Sequence, residues 1–479
     1  MAGTATWLGY RLARLAAGAA LAVLAAACST TADRERAAAE AEAQPEPQRP
    51  AVEPREVPLV GEQLRDRDTE PPQLDVEPQR AAPPDIELQP PDTGPDRQRV
   101  ALLLPLSGDN AGLGRAMQRA AQLALFDIAD KQFELIVRDT EGTADGAKTA
   151  ARAAVDAGAN LILGPVFSSS VRAVTPVARG ARVPVLAFSN NRRVAQAGVY
   201  VMGHMPGPQV QRVVGFASSR GLSRFAALVP DNGYGEIVTS ALREAARRTG
   251  GELAAHERFE PGSRDVSGPV KRLSDYGERK QALKERIAEV KQRNGDGADA
   301  TLDKLKTMDA LGQAPFDAVL VPVGGKRLKA VAPMLSYYDV DPSEVQFLGT
   351  STWADPSLGT EPALVGGWFA APSPKGWKRF AGQYQDAYGE APPRLASLAY
   401  DATALAAVLA RQAPEGERTG PSVYAADRLT QRSGFAGVDG LFRLSPDGMV
   451  ERRYAVMEMQ RNELKVLDPA PDSFRAVTN

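Results

Sequence analysis

Two histidines, His204 and His256, and one cysteine, Cys28, are all this 479-residue chain offers for soft-metal or thiol chemistry. Zinc takes three or four such ligands at short spacings. The histidines stand 52 residues apart, in neither an HExxH nor an HxxxH pattern. A lone cysteine also excludes an intrachain disulfide. No metal site and no cofactor is expected. Asp139 and Asp231 fall in turns after apolar runs and Asp401 within a helical stretch, where capping, turn or cleft-rim roles account for them without acid–base chemistry. Gly108, Gly112 and Gly114 lack the third glycine of the dinucleotide fingerprint. Gly324-Gly325-Lys326 lacks the earlier glycine and the following hydroxyl residue of a phosphate loop. No Ser-His-Asp signature is present. The chain reads as a non-enzyme.

The elements that must position any site begin abruptly at Arg99. Val100–Gly108 is an apolar run of the kind buried on both faces of a parallel sheet, ending in turn residues. Leu113, Met117, Ala121, Ala124 and Ile128 then mark one face of a helix. Phe133–Gly142, an alanine-rich helix, the segment ANLILGPVFSSS and Val183–Asn191 continue the alternation of strand and helix. It restarts after Pro206-Gly207-Pro208, with a helix over Val210–Ser219 and strands in Arg224–Glu236, Phe316–Gly325, Val345–Trp353 and Gly366–Pro372. A helix at Ala399–Arg411 and a terminal hairpin turning at Ser445-Pro446-Asp447-Gly448 close the pattern. Such alternation predicts an α/β fold of two lobes, each a doubly wound parallel sheet.

Before the body lie two segments of different texture. In residues 1–27, Arg11 and Arg14 precede an apolar run, Leu15–Ala27, too short and too alanine-rich for a membrane span, which reads as a signal peptide. Its end, Leu24-Ala25-Ala26-Ala27-Cys28-Ser29, resembles a bacterial lipobox, with Ala25 where leucine is usual. The resemblance implies a diacylated, palmitate-bearing Cys28 at the mature N-terminus, and Ser29 rather than aspartate implies the outer membrane. The alternative is ordinary cleavage that leaves a free thiol. Residues 28–98 form a tether: positions 31–98 hold 17 acids against 8 arginines, 13 prolines and no aromatic residue. Such a composition cannot bury enough apolar surface to order itself. Formal net charge is −2 overall, which gives no reason to expect nucleic acid as a partner.

The order LPLSG, DTEG, LILGPVFSSS, VPVLAFSN and ALVPDNGYGE resembles type I periplasmic binding proteins of the branched-chain amino acid group, over almost all of 99–466. The resemblance implies three crossings between lobes, near 206–209, 373–376 and 433–437. Lobe one would be 99–206 and 375–432, lobe two 208–373 and 433–466, with 467–479 a C-terminal tail. It also implies cleft residues: Ser168 and the turn Ser189–Asn191 for a carboxylate, Tyr234 as an aromatic cover, with Ser107 and Ser169 beside them. Read structurally, these hydroxyls are turn and helix caps. Where the group offers an aromatic and a carboxylate to the substrate ammonium, this chain has Val323-Gly324-Gly325-Lys326 and Gly349-Thr350-Ser351-Thr352. A buried ammonium without a counter-ion is costly, so a free amino acid is not the expected ligand, and whether a small ligand occupies the cleft stays open.

Residues 266–313 interrupt lobe two. Leu273, Tyr276, Leu283, Ile287 and Val290 recur at helical spacings on a strongly charged segment, Gly295 and Gly297 break it, and Leu302, Leu305 and Met308 begin a return helix. The result is a helical hairpin, either a solvated decoration or a partner contact through Lys280, Lys284 and Lys291. The YYDVDP segment, Tyr337 and Tyr338 included, is the competing docking candidate. With RLSDYGERKQAL and LSYYDVDPSEVQFLGTSTWADPSLGTEPALVGGWFAAP, the chain resembles the lipoprotein activators of penicillin-binding proteins. That resemblance implies a lipid-anchored outer-membrane protein facing the periplasm, which engages a peptidoglycan synthase and regulates cell wall synthesis. The alternative is a lipid-anchored solute-binding protein of a transporter.

Overall fold

A computed structural model describes residues 97–263, 265–292, 298–414 and 416–474. Cys28 and the acidic, proline-rich tether lie outside them. The first lobe is built on a parallel sheet in the order β2-β1-β3-β4-β5, from β1 (Gln98–Leu104), β2 (Phe133–Asp139), β3 (Leu161–Leu163), β4 (Val185–Ala187) and β5 (Val199–Val201). Val100–Leu104 are fully buried, as a strand covered on both faces requires. Three helices connect these strands: α1 (Ala111–Ile128), α2 (Ala144–Asp156) and α3 (Ser168–Ala181). Close packing of α1 on the loop after β1 is what Gly114 serves, since a Cβ there would stand 1.9 Å from the carbonyl oxygen of Pro105.

The second lobe holds a seven-stranded sheet in the order β15-β14-β10-β9-β8-β6-β7. After α4 (Pro206–Ser218), β6 (Arg224–Pro230), α5 (Gly233–Arg248) and β7 (Glu252–Phe259), the chain enters α6 (Ser267–Leu273), α7 (Tyr276–Gln292) and α8 (Ala298–Lys306). It returns through β8 (Ala318–Leu320), α9 (Gly325–Tyr337), β9 (Gln346–Gly349) and β10 (Trp368–Ala371). Trp353 is fully buried, donates its indole N–H to the Val321 carbonyl at 2.8 Å and lies flat on Gly349 and Gly367. Any side chain at Gly349 would collide with that ring, at 2.3 Å from its Cδ2.

The chain then returns to lobe one. Helices α10 (Pro374–Tyr388) and α11 (Ala396–Arg411) pack on α1, and α11 is buried on nearly every side. After a short helix α12 (Ala426–Leu429), a small antiparallel sheet forms from β11 (Phe435–Gly437), β12 (Gly440–Leu444) and β13 (Val450–Arg452). The chain finally crosses into lobe two as β14 (Ala455–Gln460), antiparallel to β10, and β15 (Glu463–Asp468).

Three boundaries differ from those expected. Residues 433–452 sit with lobe one, not lobe two: Phe442, Leu444 and Val450 join its core, and the Gly448 carbonyl accepts the amide of Val201 on edge strand β5. The third crossing therefore lies at Arg453–Tyr454, with Tyr454 in the core of lobe two. GLFRLSPDGMVERRYAVMEM reads as one hairpin, yet its second half changes sheets after Arg452. The first crossing likewise falls earlier, at Met202–Met205, because α4 starts at Pro206. Nor is 467–479 wholly a tail, since β15 runs to Asp468 and the ring of Phe474 stacks against Arg443 and Arg453.

Candidate functional site

Parallel sheets present their ligand-facing turns at the carboxyl ends of the strands. In lobe one that edge is a row of self-contained turns. Oδ1 of Asp139, at the end of β2, accepts the amides of Leu106 at 2.8 Å, Ser107 at 3.3 Å and Glu141 at 2.7 Å. Burial raises its pKa, but the Ser107 hydroxyl and these amides outweigh burial and hold the carboxyl below its ordinary range. Asp139 is a turn organiser, and Ser107 is exposed beside it. Ser168 (half-buried) and Ser169 (exposed) open α3, while Ser170 is buried and donates to the Thr143 carbonyl at 3.1 Å. The Ser189 hydroxyl accepts the Asn191 amide at 3.1 Å, and the Asn191 side chain accepts the Arg193 amide at 3.0 Å. Both side chains hold the turn after β4.

Lobe two presents hydroxyls. The Tyr234 phenol lies 3.4 Å from Thr350 Oγ1, itself 3.0 Å from Thr352 Oγ1. Burial pushes the Tyr234 phenol up, with the Thr350 hydrogen bond working against it. The Val323–Gly325 loop is pressed on this turn so closely that a Cβ at Gly324 would meet the Thr352 carbonyl at 2.2 Å. Neither segment contains a carboxylate. Asp231, after β6, pairs instead with Arg258 at 3.3 Å on the surface.

Between the lobes lies a cluster that residue spacing does not reveal. His204, in the first crossing, is 3.0 Å through Nε2 from Asp439 Oδ2, which also accepts the Ser397 hydroxyl at 2.7 Å. Arg394 pairs with the other Asp439 oxygen, and Arg452 donates to the Met202 carbonyl at 2.8 Å. Asp401, on α11, accepts the Val438 amide at 2.7 Å, while its Oδ2 is buried with no hydrogen-bond partner. Burial and then the charge of Asp439 push Asp401 up to about 7. Burial alone would raise Asp439 too, but His204, Arg394 and Arg452 hold it well below the carboxylate range. Burial lowers His204 despite Asp439, and Arg452 and Arg394 add to that effect. The cluster reaches the lobe-two edge through Gln209, which donates to the Met205 carbonyl at 3.0 Å and accepts the Ser351 amide at 2.7 Å.

The insertion is a helical hairpin with a core of its own: Leu283, Val290 and Leu305 are buried together with Ile287, Ala298, Leu302 and Leu311 against them. Its first part is not a decoration, because Val266, Val270 and Leu273 belong to the main core of lobe two. The two competing docking candidates are one surface. Tyr276 meets Tyr338 edge-on at 5.3 Å, and Tyr338 meets Tyr337 at 5.0 Å. Lys280 lies 5.1 Å over the Tyr276 ring and donates to its hydroxyl at 3.1 Å, and Lys271 lies 5.0 Å over Tyr338. Arg279 ties the two segments together, binding Asp339 and the Gly312 and Ser274 carbonyls. Tyr337 is 70% exposed, whereas Tyr338 is buried and serves as its backing. Lys284 and Lys291 are exposed farther along α7.

Two α/β lobes joined by three crossings, with polar turns at the carboxyl ends of their parallel strands, define a hinged binding protein. The periplasmic binding protein family matches residues 97–463, and this chain belongs to it. An uncharacterised protein of Rickettsia prowazekii (strain Madrid E) is 23% identical over 177 residues, which are 37% of this chain and 47% of that protein. The chain thus spans about half the length of that curated relative. Among solved structures, a branched-chain amino acid ABC transporter protein from Rhodospirillum rubrum matches with a TM-score of 0.60 at 20% identity, over 78% of this chain and 100% of that one. A substrate-binding protein from Sphaerobacter thermophilus matches at 0.59 and 18% identity, over 78% and 98%. A solute-binding protein from Rhodopseudomonas palustris BisB5, in complex with 3,4-dihydroxybenzoic acid, matches at 0.53 and 18%, over 80% and 98%. At these identities the likeness is one of fold. Among the described residues, no helix is long and apolar enough to cross a membrane.

Proposed function

We propose that this chain is a binding-protein scaffold turned to protein recognition: a lipoprotein anchored through Cys28 to the outer membrane, facing the periplasm, that binds and activates a peptidoglycan synthase. The observation that carries the reading is the joined surface of Tyr337, Tyr338, Tyr276, Lys280 and Lys271, in which an exposed tyrosine is pre-organised by ring stacking and an Arg279 clamp. Tyrosine is among the residues enriched at interface hot spots, and a ring already held in place has little freedom left to lose on binding. The cleft supports the same reading, since its lobe-two edge offers hydroxyls and no counter-ion for an amino acid.

The test measures glycan-chain synthesis by a purified bifunctional penicillin-binding protein with and without the full-length acylated protein. Stimulation should be present, and Tyr337→Ala should lower the affinity of the pair by about tenfold or more, the ordinary cost of a central hot spot. No stimulation and no association would reject the reading. Cys28→Ala should leave the body folded and release it from the outer-membrane fraction. A solute-binding role is the second reading, favoured by the Tyr234 phenol and the serine turns at the strand ends and by the dihydroxybenzoate complex of the Rhodopseudomonas relative. Calorimetric titration with amino acids should show no heat, whereas saturable binding of a hydroxybenzoate would favour this second role.

A further inference from the structure

A cavity of about 440 Å³ opens in lobe one, away from the strand-end turns of the cleft, between α10, α11 and β11. Phe380, Leu405, Val408, Phe435 and Phe442 give it an apolar wall, two of them buried phenylalanines with a cavity at their edge. Its polar groups are few. Arg379 is exposed on the lining and makes no ion pair among the described residues. Asp401, 2% exposed, also lines it and keeps one oxygen without a hydrogen-bond partner. Ligand sites are typically apolar hollows of roughly 300–1,000 Å³ with a small number of placed polar groups. This hollow has that size and that make-up.

We propose that the cavity is a second binding site, separate from the interlobe cleft, for a small amphiphilic anion whose apolar body lies between Phe380, Leu405, Phe435 and Phe442 and whose acid group pairs with Arg379. The chemistry of the two charged residues sets the class. Arg379 favours an anionic head. Asp401, pushed up to about 7, is uncharged below neutrality and accepts an apolar neighbour, but becomes negative above it and opposes both the body and the anion. Affinity should therefore fall as pH rises through neutrality. The walls of this site also lead to the hinge: β11 runs into Val438 and Asp439, and the Asp401 carboxylate that lines the cavity holds the Val438 amide. An occupant would press on the loop that carries the central acid of the hinge.

The probe is 1-anilinonaphthalene-8-sulfonate, titrated by fluorescence into the full-length protein at acidic and at mildly alkaline pH, with indole-3-acetate as competitor. Saturable one-to-one binding is expected, displaced by the competitor. Ala404→Trp and Val408→Phe each fill the cavity, and either should weaken binding about tenfold, a difference of roughly 1.4 kcal/mol. Arg379→Glu should weaken it at every pH, and Asp401→Asn should remove the pH dependence while keeping affinity. Thermal melts of each variant separate lost sites from lost folding, and two fillers guard against one failing to fold. Binding that persists unchanged in both folded fillers, or no saturable binding into the millimolar range, would overturn the proposal.

Discussion

The hinge cluster and the helical hairpin use the same kinds of charged residue to opposite ends. At the hinge, the Asp439 side chain is wholly enclosed and satisfied by His204, Ser397 and Arg394 together. On the hairpin, Arg286 and Glu289 pair at 2.6 Å with side chains 41% and 46% exposed, and Lys306 pairs with Asp303 in the same i,i+3 manner. An enclosed charge such as that of Asp439 depends on its partners, because it has lost its water. Exposed ones keep their water and are screened, so their pairing contributes little. Charge density along the chain therefore says nothing about where charge matters; burial decides it. The hairpin is held by a small apolar core instead, and its paired charges stay in contact with water.

The sharpest way to break this contrast is Asp439→Ala. It strips Arg394, Ser397 and His204 of their acceptor and leaves the neighbouring cations unpaired, at an expected cost of about 3–5 kcal/mol in urea unfolding. A loss below about 1 kcal/mol would make the hinge no different from a surface pair. Asp401→Asn comes next and is read by pH. The folded state holds the Asp401 proton up to about 7, whereas the unfolded chain releases it near 3.9. Stability should consequently fall as pH rises from about 4 to about 7, and the variant should lose that fall. His204 acts with the opposite sign: its lowered pKa means the unfolded chain takes up a proton first, so stability drops as pH falls below about 6.5 in both proteins.

On the hairpin the effects shrink. Leu283→Ala should cost about 2–3 kcal/mol of local stability, seen as faster hydrogen exchange in α7 and α8 with the exchange of both large sheets unchanged. If the sheets loosen as well, the hairpin is part of lobe two's architecture. Lys280→Glu, Lys284→Glu and Lys291→Glu should each change unfolding stability by less than about 1 kcal/mol. Of the three, Lys280→Glu should weaken the proposed association with a synthase most, because only Lys280 touches the tyrosine stack.

Much of this architecture is legible in the residues, and the gaps have physical reasons. Apolar runs such as Val100–Leu104 announce strands buried on both faces. By contrast β7, ELAAHERF, is an edge strand of alternating exposure whose outward positions carry Glu252, Ala254, His256 and Arg258 and whose half-buried side carries Glu257, so no apolar run marks it. Strand β5 is three residues long and leaves no pattern at all. The polar turn residues are legible as residues at strand ends. Their roles are not, because Asp139, Ser189 and Asn191 spend their hydrogen bonds on their own turns. Lys280 and Tyr337 read as rival docking sites because Arg279 and Asp339 join them only in space, 60 positions apart. The hinge is the extreme case: His204 and Asp439 are 235 positions apart.

Helix α11 lies at the heart of the first lobe, yet it begins 195 residues after the last strand of the sheet it completes. At about 5–20 residues per second, that sheet waits roughly ten to forty seconds during synthesis for the helix that covers α1. Until then the part of α1 that α11 covers stays open. A half-made chain of this protein has no finished lobe to fold into. Order in which parts are made and order in which they can settle are uncoupled here, and a fragment ending anywhere before residue 411 should remain loose however well its strands are written.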